Sequence, residues 1–252
     1  MYPWRQPTRR RRRCDACTNG GASLSETTLT DIPFDPDVPA LLKKLRIEGK
    51  PGFEARCTRL AREAVRLARP KAAYRLASVE AEGEGIVVVD GVTLTSRVLR
   101  ANLADVHRVF PFVATCGTEL ADWAGSIDDM LEAFWADTIM EEALEAALDA
   151  VTEHMVRRYD LAQTSEMNPG SLPDWPIEQQ ANLFRILGEV SAEIGVELTD
   201  SSLMIPMKSV SGLRFPSEVR FENCQLCPRE GCPNRRVPYG GDPTVELGIT
   251  SA

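Results

Sequence analysis

The feature that most restricts what this chain can fold into is a run of nine residues, Ile86-Val87-Val88-Val89-Asp90-Gly91-Val92-Thr93-Leu94. Two short β-branched runs joined by Asp-Gly read as a hairpin, which fixes two neighbouring strands as antiparallel. Further strands are expected at Tyr74–Val79, at Phe110–Thr115 and as a short pair within 203–215. Between them the apolar spacing turns helical. Leu41, Leu42 and Leu45 mark one helix, and Phe53, Leu60, Ala64 and Leu67 mark a second that Pro70 stops. Ser96 caps a short helix to about Leu103, and a long helix is predicted from Leu120 to Tyr159, broken near Gly125-Ser126. A further helix is expected over Pro176–Ile194, with Leu183, Ile186, Leu187, Val190 and Ile194 on one face and Gly195 ending it.

The charge is unevenly spread. The first thirteen residues hold six arginines and no acid, leaving the rest of the chain with 23 basic against 37 acidic residues. An acidic body argues against nucleic-acid binding. No stretch is long and apolar enough for a membrane span. The arginine run is followed by no apolar stretch, so no secretory signal is expected and a cytoplasmic location is. Residues 1–35 read as a disordered tail that includes Cys14 and Cys17, and 217–252 as a Cys-rich extension, leaving 36–216 as the folded domain.

The most specific local feature is Cys224, Cys227 and Cys232, spaced C-x2-C-x4-C on a Pro/Gly-rich stretch. Close thiolates on a stiff loop suit a soft metal, either an iron–sulfur cluster or zinc, and free or redox-active thiols are the alternative. A closed site needs a fourth ligand, for which Cys116, at a strand-to-helix turn, is the candidate. Cys57 reads as a buried structural cysteine. His107 reads as a helix-end residue, and His154, among helical acids and arginines, as solvated. Gly83-Glu84-Gly85 precedes a strand and forms no dinucleotide fingerprint, and there is no P-loop. Glu142, Glu145 and Asp149 share a helix face, either as a solvated surface or with one carboxylate turned inward to a ligand's amine or cation.

The stretch Met167-Asn168-Pro169-Gly170-Ser171-Leu172-Pro173-Asp174-Trp175-Pro176-Ile177-Glu178-Gln179-Gln180 resembles the activation domain of cobalamin-dependent methionine synthase. So does Gly195-Val196-Glu197-Leu198-Thr199-Asp200-Ser201-Ser202-Leu203-Met204-Ile205-Pro206-Met207-Lys208-Ser209-Val210-Ser211-Gly212, in the same order of parts. The stretch Phe112–Leu120, followed by a long acidic helix, looks like compact stand-alone members. The resemblance implies an α+β fold, a twisted antiparallel sheet flanked by helices. It implies S-adenosylmethionine at Asn168, Pro169 and Gly170, with Glu145 as the inward glutamate. It also implies a partner, a corrinoid protein or cobalamin-dependent methyltransferase. Two positions depart from the family: Glu166 stands where it has an arginine, and Ser171 where it has a tyrosine.

Taken together, these readings lead to the expectation of an accessory protein for reductive activation of a corrinoid partner. Its low-potential electron would come through a cluster at Cys116, Cys224, Cys227 and Cys232. Two alternatives are a docking module with a structural zinc and an S-adenosylmethionine-dependent methyl-transfer domain.

Overall fold

The structure is a computed structural model that describes residues 26–217, 221–232 and 235–241. The described chain opens with strand β1 (Glu26–Leu29), followed by helices α1 (Val38–Lys44) and α2 (Pro51–Leu67). Asp37 caps α1 by accepting from the Ala40 amide at 3.0 Å. Proline leads α2, where its missing N–H costs nothing. Strands β2 (Lys71–Arg75), β3 (Ala77–Glu82), β4 (Ile86–Val89) and β5 (Val92–Thr95) follow. Asp90 and Gly91 hold φ of 44° and 79°, the positive values that a two-residue hairpin turn demands. Ser96 Oγ accepts from the Leu99 amide at 2.9 Å and starts α3 (Arg97–Asn102).

Strand β6 (Arg108–Thr115) is the spine, and every residue after Arg108 is buried. That follows from its composition, an apolar run without alternation, which suits a strand covered on both faces. At its end Gly117 takes φ of 94°, and a Cβ there would collide with the Arg69 carbonyl oxygen. The chain then enters α4 (Thr118–Gly125) and the thirty-residue α5 (Met130–Tyr159). The remaining elements are β7 (Thr164–Met167), α6 (Gln180–Leu187), α7 (Val190–Glu193), the small pair β8 (Glu197–Leu198) and β9 (Met204–Ile205), and β10 (Ser209–Pro216).

All strand pairs are antiparallel. One edge of β6 pairs with β2 and β3, and the other with β10, whose far edge carries β7. β1 flanks β2, and the hairpin β4–β5 flanks β3. Side chains alternate between the faces of this sheet. Tyr74, Phe110, Phe112, Ala114 and Cys116 pack under α2, α4 and α5, with Trp135, Ile139 and Val151. Ala73, Val79, Val113, Leu213 and Phe215 pack on the opposite face with α3, α6 and the fully buried Trp175. The fold class is thus the expected one: an antiparallel sheet flanked by helices. No helix among the described residues is long and apolar enough to cross a membrane.

Three expectations are corrected. Residues 26–35 belong to the domain: β1 pairs with β2, and Leu29, Ile32 and Phe34 pack against the α5-side core. The other residues of the expected tail lie outside the described residues. The strand expected at Tyr74–Val79 is two strands that share one register against β6. The gap falls opposite Pro111, which has no N–H to give to the ladder. The helix expected over Pro176–Ile194 breaks after Leu187 at Gly188, where φ is 64°.

Candidate functional site

Because β7 pairs with β10 only from Leu213 onward, the edge of β10 at Ser209–Gly212 has no strand beside it among the described residues. The chain leaves β7 at Asn168 and folds into a tight loop beside that free edge. Gly170 takes φ of 80° and its amide donates to the Trp175 carbonyl at 2.8 Å. A Cβ on Gly170 would press on Ile177 at 2.8 Å. The notch so formed is a cavity of about 450 Å³. Ser209, Val210 and Ser211 form its floor, and Asn168, Pro169, Ser171, Ile177 and Gln180 one wall. Leu148 of α5 and Arg236 stand opposite, and Leu203, Met204 and Met207 form the rim.

A hydrogen-bond network sets the wall. Gln180, almost fully buried, donates to the Ser202 carbonyl at 2.9 Å and accepts from Ser211 Oγ at 3.1 Å. Asn168 Nδ2 donates to Glu166 Oε1 at 2.8 Å and to the Ser211 carbonyl at 3.0 Å. Its Oδ1 accepts from Asn223 Nδ2 at 2.8 Å. Both amide hydrogens of Asn168 are therefore spent inside the protein, and it positions the loop over β10. Gly212 permits this crossing, because a Cβ there would lie 2.6 Å from Asn168 Nδ2 and from the Met167 carbonyl oxygen. Glu166, the departure from the resembled family, pairs with Arg214 of the neighbouring strand, so its charge is answered within the sheet.

A second, smaller cavity of about 160 Å³ adjoins the first and shares Leu148, Glu166 and Arg236 with it. Asp149 and Thr152 of α5, Thr164, Arg214, Phe221 and Glu222 complete its lining. The cysteine segment thus forms part of the site. The Phe221 amide donates to Ser165 Oγ at 2.7 Å, and Phe221 and Leu226 pack on the core opposite α5. Arg235 donates to the carbonyls of Cys224 (2.9 Å) and Cys227 (3.0 Å), and also to that of Arg229.

No protein-family model matches the chain, and no curated protein matches it. A solved structure of the MetH reactivation domain bound to AdoHcy matches over 79% of this chain and 81% of that one, with a TM-score of 0.54 and 16% sequence identity. The chain has the fold of that reactivation domain.

The sequence-derived site residues divide accordingly. Asn168, Pro169 and Gly170 meet at the larger cavity, the first two in its wall and Gly170 in the turn behind it. Glu145 is exposed on α5 and lines neither cavity, whereas Asp149, one turn on, lines the smaller. Partial burial raises the Glu145 carboxyl above its usual range, helped by the neighbouring charge of Glu142. Cys224, Cys227 and Cys232 are half-buried on one loop. Cys116 does not join them. It is buried on the α5 side of the sheet, where desolvation pushes its thiol up to about 12, a poor state for a thiolate ligand. Among the described residues no three Cys, His, Asp or Glu side chains converge on a point where a metal ion could sit. The four cysteines therefore do not fit a closed cluster, and zinc at this set meets the same obstacle. His154, read as solvated, is half-buried, and its Nδ1 lies 2.9 Å from the Tyr74 hydroxyl. His107 lies just before β6 and is exposed.

Arg214 and Arg236 enter the site without having been singled out, whereas Gln180 lies in the resembled stretch and Asp149 is among the three carboxylates on one helix face. Arg236 sits in a segment read for its cysteines, and nothing local in the sequence says that it reaches β7 and α5.

Proposed function

We propose that this chain is an accessory protein that holds S-adenosylmethionine for the reductive activation of a corrinoid partner. The observation that carries this reading is the cavity itself. Its walls are built from the two stretches, 167–180 and 199–211, that resemble the activation domain, within the fold of a domain solved with S-adenosylhomocysteine bound.

In this reading the mostly apolar notch between the Pro-Gly loop and the free edge of β10 takes the nucleoside. Backbone groups on the free edge of β10, other than the Ser211 carbonyl already held by Asn168, offer it donors and acceptors. The sulfonium then lies toward the rim, where Leu203, Ile205 and Met207 are exposed. Lys208 ties this rim to α5 by a 2.9 Å ion pair with Asp137, and the first turns of α5 expose Met130 and Phe134. Apolar side chains left in water beside a cavity mouth suit a docking face, and the corrinoid-bearing partner is its occupant. The methyl group passes from sulfonium to the reduced cobalt of that partner, leaving the neutral thioether S-adenosylhomocysteine, while an external low-potential donor supplies the electron. Because the cysteines do not converge, no electron transfer is assigned to them.

The test mixes the chain with a cobalt(II) methionine-synthase corrinoid module, S-adenosylmethionine and a low-potential reductant, and follows formation of methylcobalt by absorption. The reading predicts formation that depends on the chain and stops when Gly170→Val fills the loop. Equal formation with and without the chain would overturn it.

A further inference from the structure

Cys224 and Cys227 stand at the two ends of one tight turn. Asn223–Gln225 form a single 3-10 turn, in which the Gln225 amide donates to the Glu222 carbonyl at 2.9 Å and the Leu226 amide to the Asn223 carbonyl at 3.1 Å. Leu226 continues it at φ −109° and ψ −1°. Both residues between the two cysteines are therefore helical. In such a turn, side chains three positions apart lie on the same side, and their Cα atoms come within about 7 Å. A disulfide spans about 4.4–6.8 Å between Cα atoms. A metal centre needs at least three side chains to converge, which these residues do not supply, whereas a disulfide needs two.

The turn is also held from outside. The Arg235 guanidinium donates to the carbonyls of Cys224 (2.9 Å) and Cys227 (3.0 Å), one at each end. Glu222 and Gln225 cap the turn reciprocally, the Gly240 amide donates to the Gln225 carbonyl at 2.8 Å, and Leu226 packs on the core. Cys232 lies outside the turn, past Gly231 with its φ of 62°. Cys224 and Cys227 are half-buried, open to a small reagent but fixed in place, unlike the buried Cys57 and Cys116.

We infer that Cys224 and Cys227 form a reversible disulfide, a two-electron couple that exchanges with external disulfides and dithiols, and that Cys232 stays outside it. The thiolate of one attacks a sulfur of the external disulfide, whose S–S bond breaks and releases one thiol. The thiolate of the other then attacks the mixed disulfide, forming the Cys224–Cys227 bond and releasing the second thiol. The two cysteines lose two electrons and two protons, and the external disulfide is reduced to two thiols. The couple passes no single electron to cobalt, and the inference does not depend on the proposed ligand. The same turn supplies Asn223 to Asn168, so the couple lies one hydrogen bond from the wall of the larger cavity.

The experiment equilibrates the chain in mixtures of reduced and oxidised glutathione, quenches with acid and alkylates the remaining thiols. Trypsin separates the cysteines, because residues 221–229 hold Cys224 and Cys227 and residues 230–235 hold Cys232. In reducing mixtures both peptides are fully alkylated. As the mixture becomes oxidising, peptide 221–229 loses both alkyl groups together and becomes lighter by two hydrogens, and dithiothreitol reverses the change. Cys232→Ser leaves this transition in place, and Cys227→Ser abolishes it. In urea that unfolds the chain, the midpoint moves roughly tenfold toward oxidising mixtures, because the turn no longer holds the thiols together. Full alkylation of peptide 221–229 in every mixture, a stable adduct with glutathione, or a bond to Cys232 overturns the inference. So does the same midpoint in native and unfolded chain, which would make the couple a property of the sequence spacing alone.

Discussion

At the scale of single residues, the titratable groups of the core report on packing. His154 is held below its ordinary pKa of 6.5 by burial first, and then by Arg158 and Arg157. The folded protein therefore binds this proton less readily than the unfolded chain does. The resulting stability is complete above about pH 6.5 and is lost as the pH falls toward the folded value. Urea titrations from about pH 7 to about pH 5 should show a steeper loss of stability for the wild type than for His154→Gln. A parallel decline in both would remove His154 from the account. The cysteines divide in the same way. Burial raises Cys57 to about 11 and Cys116 to about 12, whereas Cys224, Cys227 and Cys232 are half-buried. Iodoacetamide at about pH 8 should alkylate the last three in the native protein and spare the first two until it unfolds, as read by mass spectrometry of peptides. Modification of native Cys116 would contradict its placement under α5.

At the scale of elements, the notch depends on two glycines and on a strand that stops early. Gly212→Ala places a Cβ against Asn168 and the Met167 carbonyl, so it should cost about 1–3 kcal/mol in a urea titration and weaken S-adenosylhomocysteine binding. Gly52→Ala, in the first turn of α2 with no atom near the added Cβ, should stabilise by about 0.4–1 kcal/mol and leave binding unchanged. Elements set by local chemistry were legible in the sequence. The Asp90-Gly91 turn, the Ser96 cap and the break between α4 and α5 each rest on a few adjacent residues. Elements set by a distant neighbour were not. β1 is polar and lies in a stretch that reads as tail, and it becomes a strand only because β2, more than forty residues on, offers it an edge. The interruption between β2 and β3 is written in Pro111, on the facing strand.

At the scale of the whole molecule, the C-terminal segment closes the site. Asn223 bonds Asn168, Phe221 bonds Ser165, and Arg236 lines both cavities. The sequence located the Pro-Gly loop, which carries its own turn chemistry, but took this segment for a separate metal-bearing extension. Its cysteines are close in sequence, whereas its contacts with β7 and the loop after it join residues more than fifty positions apart. The central claim is that a ligand of the S-adenosyl class occupies the cavity beside the Pro-Gly loop. A crystal structure of the chain grown with S-adenosylhomocysteine tests it most directly. The account predicts density for the nucleoside between the Pro-Gly loop and the free edge of β10. Density elsewhere on the molecule, or empty cavities at a ligand concentration that saturates binding in solution, would contradict it.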